Sequence, residues 1–404
     1  MKEGNRSSKL IQVGQFCFYL GLLIELLIVI IDKSNYINPI EGQLFRITFL
    51  LFALKVCFTR YSFREWLWII FFLIIAGACY FSSGRDEAVR AVIFCASFKG
   101  ISLQRVMKTT FFVTLSGCLL LVLLSVTGIF GNTYIIDDGD RGIRYCFGLG
   151  HPNAFYCMLW IIVTLGIYLY WNKMKIWSYA LLLGMGIALF IPTDSRTGFL
   201  FLIFTLAVSI VLTYFPRIRE CRLIYFLGIA AFLLCVVLSV WIACYERYEG
   251  PFYPFDRFFT GRITSMNNWV DGGGILRNWR LFSRPENIKY FDMGYVRLFY
   301  WYGIIPGALY VLLYAMLMWQ CYKKKNYMGF MMVLSFALYT MLEAHFISVY
   351  LGRNYALFLL GAYWSDMLCF RKPPAEGMQD IQEEYWWQGW RFLGRKETSG
   401  EPGC

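Results

Sequence analysis

Apolar runs separated by short polar gaps recur along nearly the whole chain, and their lengths match the roughly 30 Å hydrocarbon core of a bilayer. The pattern predicts spans over residues 10–31, 44–58, 66–82, 88–98, 109–130, 153–171, 177–192, 198–215, 223–243, 294–319, 328–342 and 354–370. Each reads as a helix, because a helix satisfies its own backbone donors and acceptors within lipid. The expected fold class is therefore all-α, a polytopic membrane bundle of about twelve helices. One long gap, residues 244–293, falls between the ninth and tenth spans. The first run is too long for a signal-peptide core and has no small-residue cleavage site, so a retained span is expected.

Charge orders these spans. Lys2, Arg6 and Lys9 precede the first; Arg60 and Arg64 follow the second; Lys99, Arg105 and Lys108 follow the fourth. Lys173 and Lys175, then Arg217, Arg219 and Arg222, then Lys323 to Lys325, then Arg371 and Lys372 occupy every second gap thereafter. This positive-inside alternation predicts that both termini face the cytoplasm and that the 244–293 loop is external. Residues 1–370 then form the integral-membrane domain, and 371–404 a cytoplasmic tail that reads as an interfacial helix or as a disordered segment.

Composition agrees: 58% of the 404 residues are hydrophobic and 16% charged, too few charges for a soluble surface of this size. The net charge of +12 is largely topological, so nucleic-acid binding is not implied. Thirteen cysteines stand singly, without a C-x-x-C pair, as buried small hydrophobes do. Only Cys146 and Cys244 fall where a bridge on the expected outer face could form.

Insertion selects against basic residues in short external loops, yet arginines gather there. Arginine grips phosphate with two parallel bonds, so this points to an anionic ligand reached from outside. The long loop is not basic overall, with seven basic and six acidic residues, so individual arginines at span ends carry the expectation. Arg196, in PTDSRTGFL, either pairs with Asp194 or joins Ser195, Thr197 and the next helix's amides in an anion site. In RYCFGLGHPNAF, Arg144, His151 and Asn153 lead into the sixth span, and His151 reads equally as a cap or a catalytic group. GRITSMNNW offers Arg262 and a sugar-stacking face on Trp269. Asp292 and Arg297 flank the start of the tenth span, and Glu343, His345, Arg353 and Asn354 occupy the turn between the last two spans. IIDDGDRG sets Asp137, Asp138 and Asp140 beside Arg141; a tight turn neutralised by that arginine is favoured over a divalent-cation site, and no metal is expected.

The HPN start of a span, the SRTG turn, the GR…W segment of one long outer loop and the D-x-G-Y…G-I-I start of the next span, in this order, resemble the O-antigen polymerase and ligase family of bacterial membrane glycosyltransferases. The resemblance covers about residues 100–370. It implies polymerisation of polyprenyl-diphosphate-linked oligosaccharide repeat units at the outer face of the bacterial cytoplasmic membrane, for capsule, O-antigen or exopolysaccharide. No nucleotide or other cofactor is implied, and the absence of a GxGxxG or Walker A loop agrees. The partners implied are the lipid-linked glycan, membrane lipid and other polysaccharide-assembly membrane proteins. By this resemblance Arg196 and Arg262 hold the diphosphate, and Arg144, His151 and Asn153 match the family's entry motif; from their own chemistry Arg144, Asn153, Arg141, Arg297 and Trp269 are also expected on the substrate. Asp292, then His151, then Glu343 are the expected bases. Ligase-type members carry a histidine where this chain has Asp292, which favours polymerase over ligase. A flippase for the same lipid is the rival reading, but it predicts two related halves and none is evident.

Overall fold

The computed structural model describes residues 2–34, 36–137, 142–244, 256, 261–268, 275–344 and 347–369. Its helices are α1 (Lys2–Lys33), α2 (Glu41–Cys57), α3 (Phe63–Ser83), α4 (Glu87–Ser97), α5 (Leu103–Val126), α6 (Pro152–Tyr170), α7 (Ile176–Thr193), α8 (Arg196–Tyr214), α9 (Pro216–Glu220), α10 (Arg222–Ala243), α11 (Arg262–Asn268), α12 (Gly294–Tyr302), α13 (Ile304–Lys323), α14 (Tyr327–Thr340) and α15 (Tyr355–Leu368). Among the described residues, α1, α3, α5, α6, α7, α8, α10 and α13 are long and apolar enough to cross a membrane, eight in all.

Helix starts follow local chemistry. Ser62 and Glu65 form a reciprocal capping box on α3, and Gly84 ends that helix in the left-handed conformation. Ser102 caps α5 by accepting from the Arg105 amide, so this helix begins six residues before the apolar run expected from 109. Asn326 and Asn354 cap α14 and α15.

Helices α3, α7 and α10 lie toward the periphery, while α6 runs through the middle with the shorter α12, α14 and α15. Phe81, Leu181 and Ile191 point outward, each more than 70% exposed, as side chains facing lipid would. Helices α12, α14 and α15 are buried on nearly every side, as helices apolar all round should be. The centre is aromatic: Trp160 of α6 meets Phe336 and Tyr339 of α14, each at 4.7 Å between ring centroids.

Three expectations need correction. The tenth span is two helices, broken at Gly303 with φ of 101°. The break is filled by the chain before it: Ile304 and Ile305 amides donate to the Arg280 and Leu281 carbonyls at 2.8 and 3.1 Å. Ser283 Oγ and Asn287 Nδ2 donate to the Tyr300 carbonyl at 2.5 and 2.9 Å. The helix ends left open by the break are thus satisfied from the loop. The fold is also not purely helical, since β1 (Tyr134–Asp137) and β2 (Gly142–Tyr145) form an antiparallel hairpin in the register Tyr134 to Tyr145. Finally, Cys146 and Cys244 are both free thiols; Cys146 is buried and donates to the Asn132 carbonyl.

Candidate functional site

Two polar groups form at the end of the bundle where α6 and α8 begin. The first is built around the α7–α8 turn. Asp194 closes α7 in the left-handed conformation, leaving the last carbonyls of the helix to be satisfied. Arg144, almost fully buried on β2, supplies the donors: Nε to the Thr193 carbonyl at 3.0 Å and Nη2 to the Asp194 carbonyl at 3.3 Å. Its Nη2 also donates to Asn153 Oδ1 at 3.1 Å, which ties the start of α6 to the end of α7. A cation here also suits the negative end of the α7 dipole.

His151 is the N-cap of α6, where Nδ1 accepts from the Asn153 amide at 3.1 Å and Pro152 takes the first helical position. A neutral imidazole accepting at Nδ1 carries its proton on Nε2, so this arrangement leaves it no lone pair for a base. Arg196 opens α8 with its side chain 63% exposed and Nε 3.3 Å from Asp194 Oδ1. Neutralisation by Asp194 is therefore present, and the rest of the guanidinium faces outward.

The second group is more enclosed. Arg262 opens α11, which Asp256 holds by accepting from the Ile263 amide at 2.9 Å and the Thr264 amide at 3.3 Å. The Arg262 side chain is only 7% exposed; its Nη2 donates to Glu343 Oε1, and its Nε lies 3.7 Å from Asp292 Oδ2. One guanidinium thus gathers two carboxylates from different segments. Burial, together with the nearby Asp292 charge, raises the Glu343 carboxyl to about 7, against the lowering effect of Arg262.

Arg297 supports this group from behind. It is buried on α12, stacked on Tyr290 and Trp301 at 4.2 and 4.5 Å, and Nη2 donates to the Ala344 and Ile347 carbonyls at 2.8 and 2.5 Å. The sequence placed Arg297 on substrate; its described contacts are with the turn that presents Glu343.

Arg196 and Arg262, expected around one ligand, sit in different polar groups. Between them is an aromatic layer, in which Tyr339 near the end of α14 contacts Phe201 of α8 at 4.6 Å and feels the charges of Arg262, Asp292 and Glu343. Phe201 is five residues, or about 7.5 Å of helix, from Arg196, so both groups occupy the same end of the bundle. A cleft lies elsewhere, between α4, the α12–α13 break and residues 347–354. Glu87, Tyr302, Tyr310 and Tyr350 line it, and neither arginine does.

Trp269, Arg141 and His345 lie outside the described residues, as do Asp138 and Asp140. Among the described residues no group of three or more metal-ligating side chains forms. The supporting roles of Asp256 and of the carbonyls under Arg297 had no signal in the sequence, since both depend on distant backbone.

Comparison of the chain with protein-family models, with curated proteins and with solved structures gives no match.

Proposed function

We propose that this protein polymerises polyprenyl-diphosphate-linked oligosaccharide repeat units at the outer face of the bacterial cytoplasmic membrane. The observation that carries the reading is Arg262 holding Asp292 and Glu343 together at one end of an apolar bundle. Positive-inside charge gives the orientation: about twelve crossings, counting the shorter helices, with both termini in the cytoplasm and the Arg262 end outside. The O-antigen polymerase resemblance supplies the substrate class.

In this reaction the bond between the sugar's anomeric carbon and the diphosphate oxygen breaks through an oxocarbenium-like transition state. An acceptor hydroxyl forms the new bond and gives up its proton. Polyprenyl diphosphate departs with the electron pair of the broken bond. Arg262 stabilises the growing negative charge, and enclosure strengthens that interaction. Arg196, at the rim, meets the same anion as it approaches from the membrane surface.

For the proton, Glu343 moves ahead of the order that the sequence suggested. A base works best near the ambient pH, and burial brings this carboxyl there. When diphosphate takes Arg262 Nη2, Glu343 is released next to the reacting centre. Asp292 then keeps Arg262 oriented, and His151 fixes the start of α6.

The test is glycan length with purified full-length protein and lipid-linked repeats. Chains of many units on the lipid are expected. Transfer of glycan to a different acceptor would identify a ligase, and movement across the bilayer without longer product a transporter; either result refutes polymerisation.

A further inference from the structure

The β1–β2 hairpin has two unlike faces. In its register Tyr134 stands opposite Tyr145, Ile135 opposite Arg144 and Ile136 opposite Ile143. Side chains alternate along a strand, and directly opposed residues share a face. Ile135 and Arg144 therefore lie on one face, and Tyr134, Ile136, Ile143 and Tyr145 on the other. The first face is turned into the protein, where buried Arg144 grips the end of α7. On the second face all four residues are exposed, Ile136 by 71% and Ile143 by 60%. Single apolar residues are ordinary on a surface, but four on one side of a two-stranded ribbon form a patch.

The ribbon is fixed in place. The Thr133 carbonyl accepts from the Cys146 and Phe147 amides, each at 2.9 Å, and the Gly148 amide donates to the Asn132 carbonyl at 2.8 Å. Gly148 presses on α5, since a Cβ there would come within 2.6 Å of the Leu121 carbonyl oxygen. The hairpin is thus held between the ends of α5 and α7, both long and apolar enough to cross a membrane. Leu119, Leu123 and Val126 form an exposed apolar strip along one flank of α5, and exposed Ile129 and Phe130 carry it on toward β1. On α7, Ile187 and Ile191 are exposed one turn apart and lead up to the Arg144 contact. The apolar face of the hairpin therefore continues surfaces that already suit lipid.

Its depth fits as well. Helix α7 has 18 residues, about 27 Å of helix, close to the roughly 30 Å of a hydrocarbon core. The end that Arg144 holds then lies near the boundary between acyl chains and headgroups. Tyrosine suits that level, with its ring in the apolar layer and its hydroxyl toward water. The two hydroxyls are the only polar side-chain atoms among the four residues, too few hydrogen-bonding groups to favour a glycan. We propose that the face of Tyr134, Ile136, Ile143 and Tyr145 rests in the lipid leaflet at this end of the bundle, and through Arg144 holds the α7–α8 turn at headgroup level. Nothing in this arrangement depends on glycosyl transfer.

Photolabelling of the natural full-length protein in vesicles of phosphatidylethanolamine and phosphatidylglycerol tests the contact. A phospholipid with a diazirine near the glycerol end of its acyl chain should label residues 134–136 and 143–145. With the diazirine at the far end of the chain, label should move to the middle of α7, around the exposed Met185. A hairpin unlabelled by the shallow probe, or labelled more strongly by the deep one, would overturn the proposal.

A p-benzoylphenylalanine placed at Ile143 in native membranes reports the occupant, because it captures nearby C–H bonds and reacts poorly with water. Phospholipid adducts are expected there. Placed at Ile135, on the opposite face, it should capture at least about fivefold less lipid. No adduct at Ile143, an adduct with another protein or a second copy of this chain in place of lipid, or equal lipid capture at both positions would each overturn the proposal. Should the substituted protein not fold, the labelling of the natural protein decides alone.

Discussion

Arg262 Nη2 donates to Glu343 Oε1 across 81 residues of sequence, while Nε of the same guanidinium faces Asp292 Oδ2 at 3.7 Å. Planarity lets one side chain address two carboxylates from different elements. Lysine keeps the charge but not the fork. Arg262→Lys should reach the membrane at normal abundance and lose activity on the order of a hundredfold, the usual effect of removing one preorganised donor. Chain growth at more than about a third of the natural rate would place the diphosphate contact elsewhere.

The Glu343 carboxyl gives a pH signature. Burial and the Asp292 charge raise it from 4.5 to about 7, so the group becomes an ionised base only as pH rises through that range. Activity should therefore climb between pH 6 and 8, a window set by the shift to about 7, and Glu343→Gln should abolish it. Stability runs the other way. A carboxyl raised in the folded state contributes stability that is fully present below 4.5 and lost as pH rises through about 7. Glu343→Gln should thus flatten the fall in melting midpoint across that interval. A profile unchanged by the substitution would show that another group titrates.

The break between α12 and α13 depends on Gly303. Its φ of 101° suits glycine, and an added Cβ would lie 2.6 Å from the Leu281 carbonyl oxygen and 2.8 Å from the Ser283 amide. These are backbone atoms, so no side-chain rotation relieves the clash. Gly303→Ala should destabilise by about 2 kcal/mol or more. It should also free residues 280–287, raising proteolysis at Arg280 and Arg284. Resistance equal to that of the natural protein would mean the loop is held by something other than the break.

Much of the fold was legible because lipid-length apolar runs leave few alternatives, and the cap that His151 forms was one of the two equal readings that HPN offered. The Asp194–Arg196 pair could also be read, because its members are two residues apart. The Gly303 break could not, since YGIIPG sits inside an apolar run and the bend exists only because Leu281 to Ser283 fill it. The role of Arg297 was hidden for the same reason: its acceptors are carbonyls 47 and 50 residues away, and carbonyls have no sequence pattern. Arginine alone cannot declare whether it will grip a ligand or a turn.

Deep in the bundle, Glu25 of α1 and Arg90 of α4 are both almost wholly buried, joined at 3.2 Å. Thr48 Oγ1 adds a bond to Glu25 Oε1 at 2.6 Å, and Arg90 Nη1 reaches the Val349 carbonyl at 3.1 Å, just before the turn that carries Arg353. Glu25 Oε2 and Arg90 Nε nevertheless lack partners, so the pair is incompletely compensated. Removing one member strands the other charge, and Arg90→Met should lower stability by about 3–5 kcal/mol in reversible unfolding from mixed micelles. Adding Glu25→Gln removes the stranded charge and should recover most of that loss. A double variant no more stable than Arg90→Met would mean that packing of Arg90 on Phe45, at 3.9 Å, and not the buried charge pair, dominates this part of the bundle.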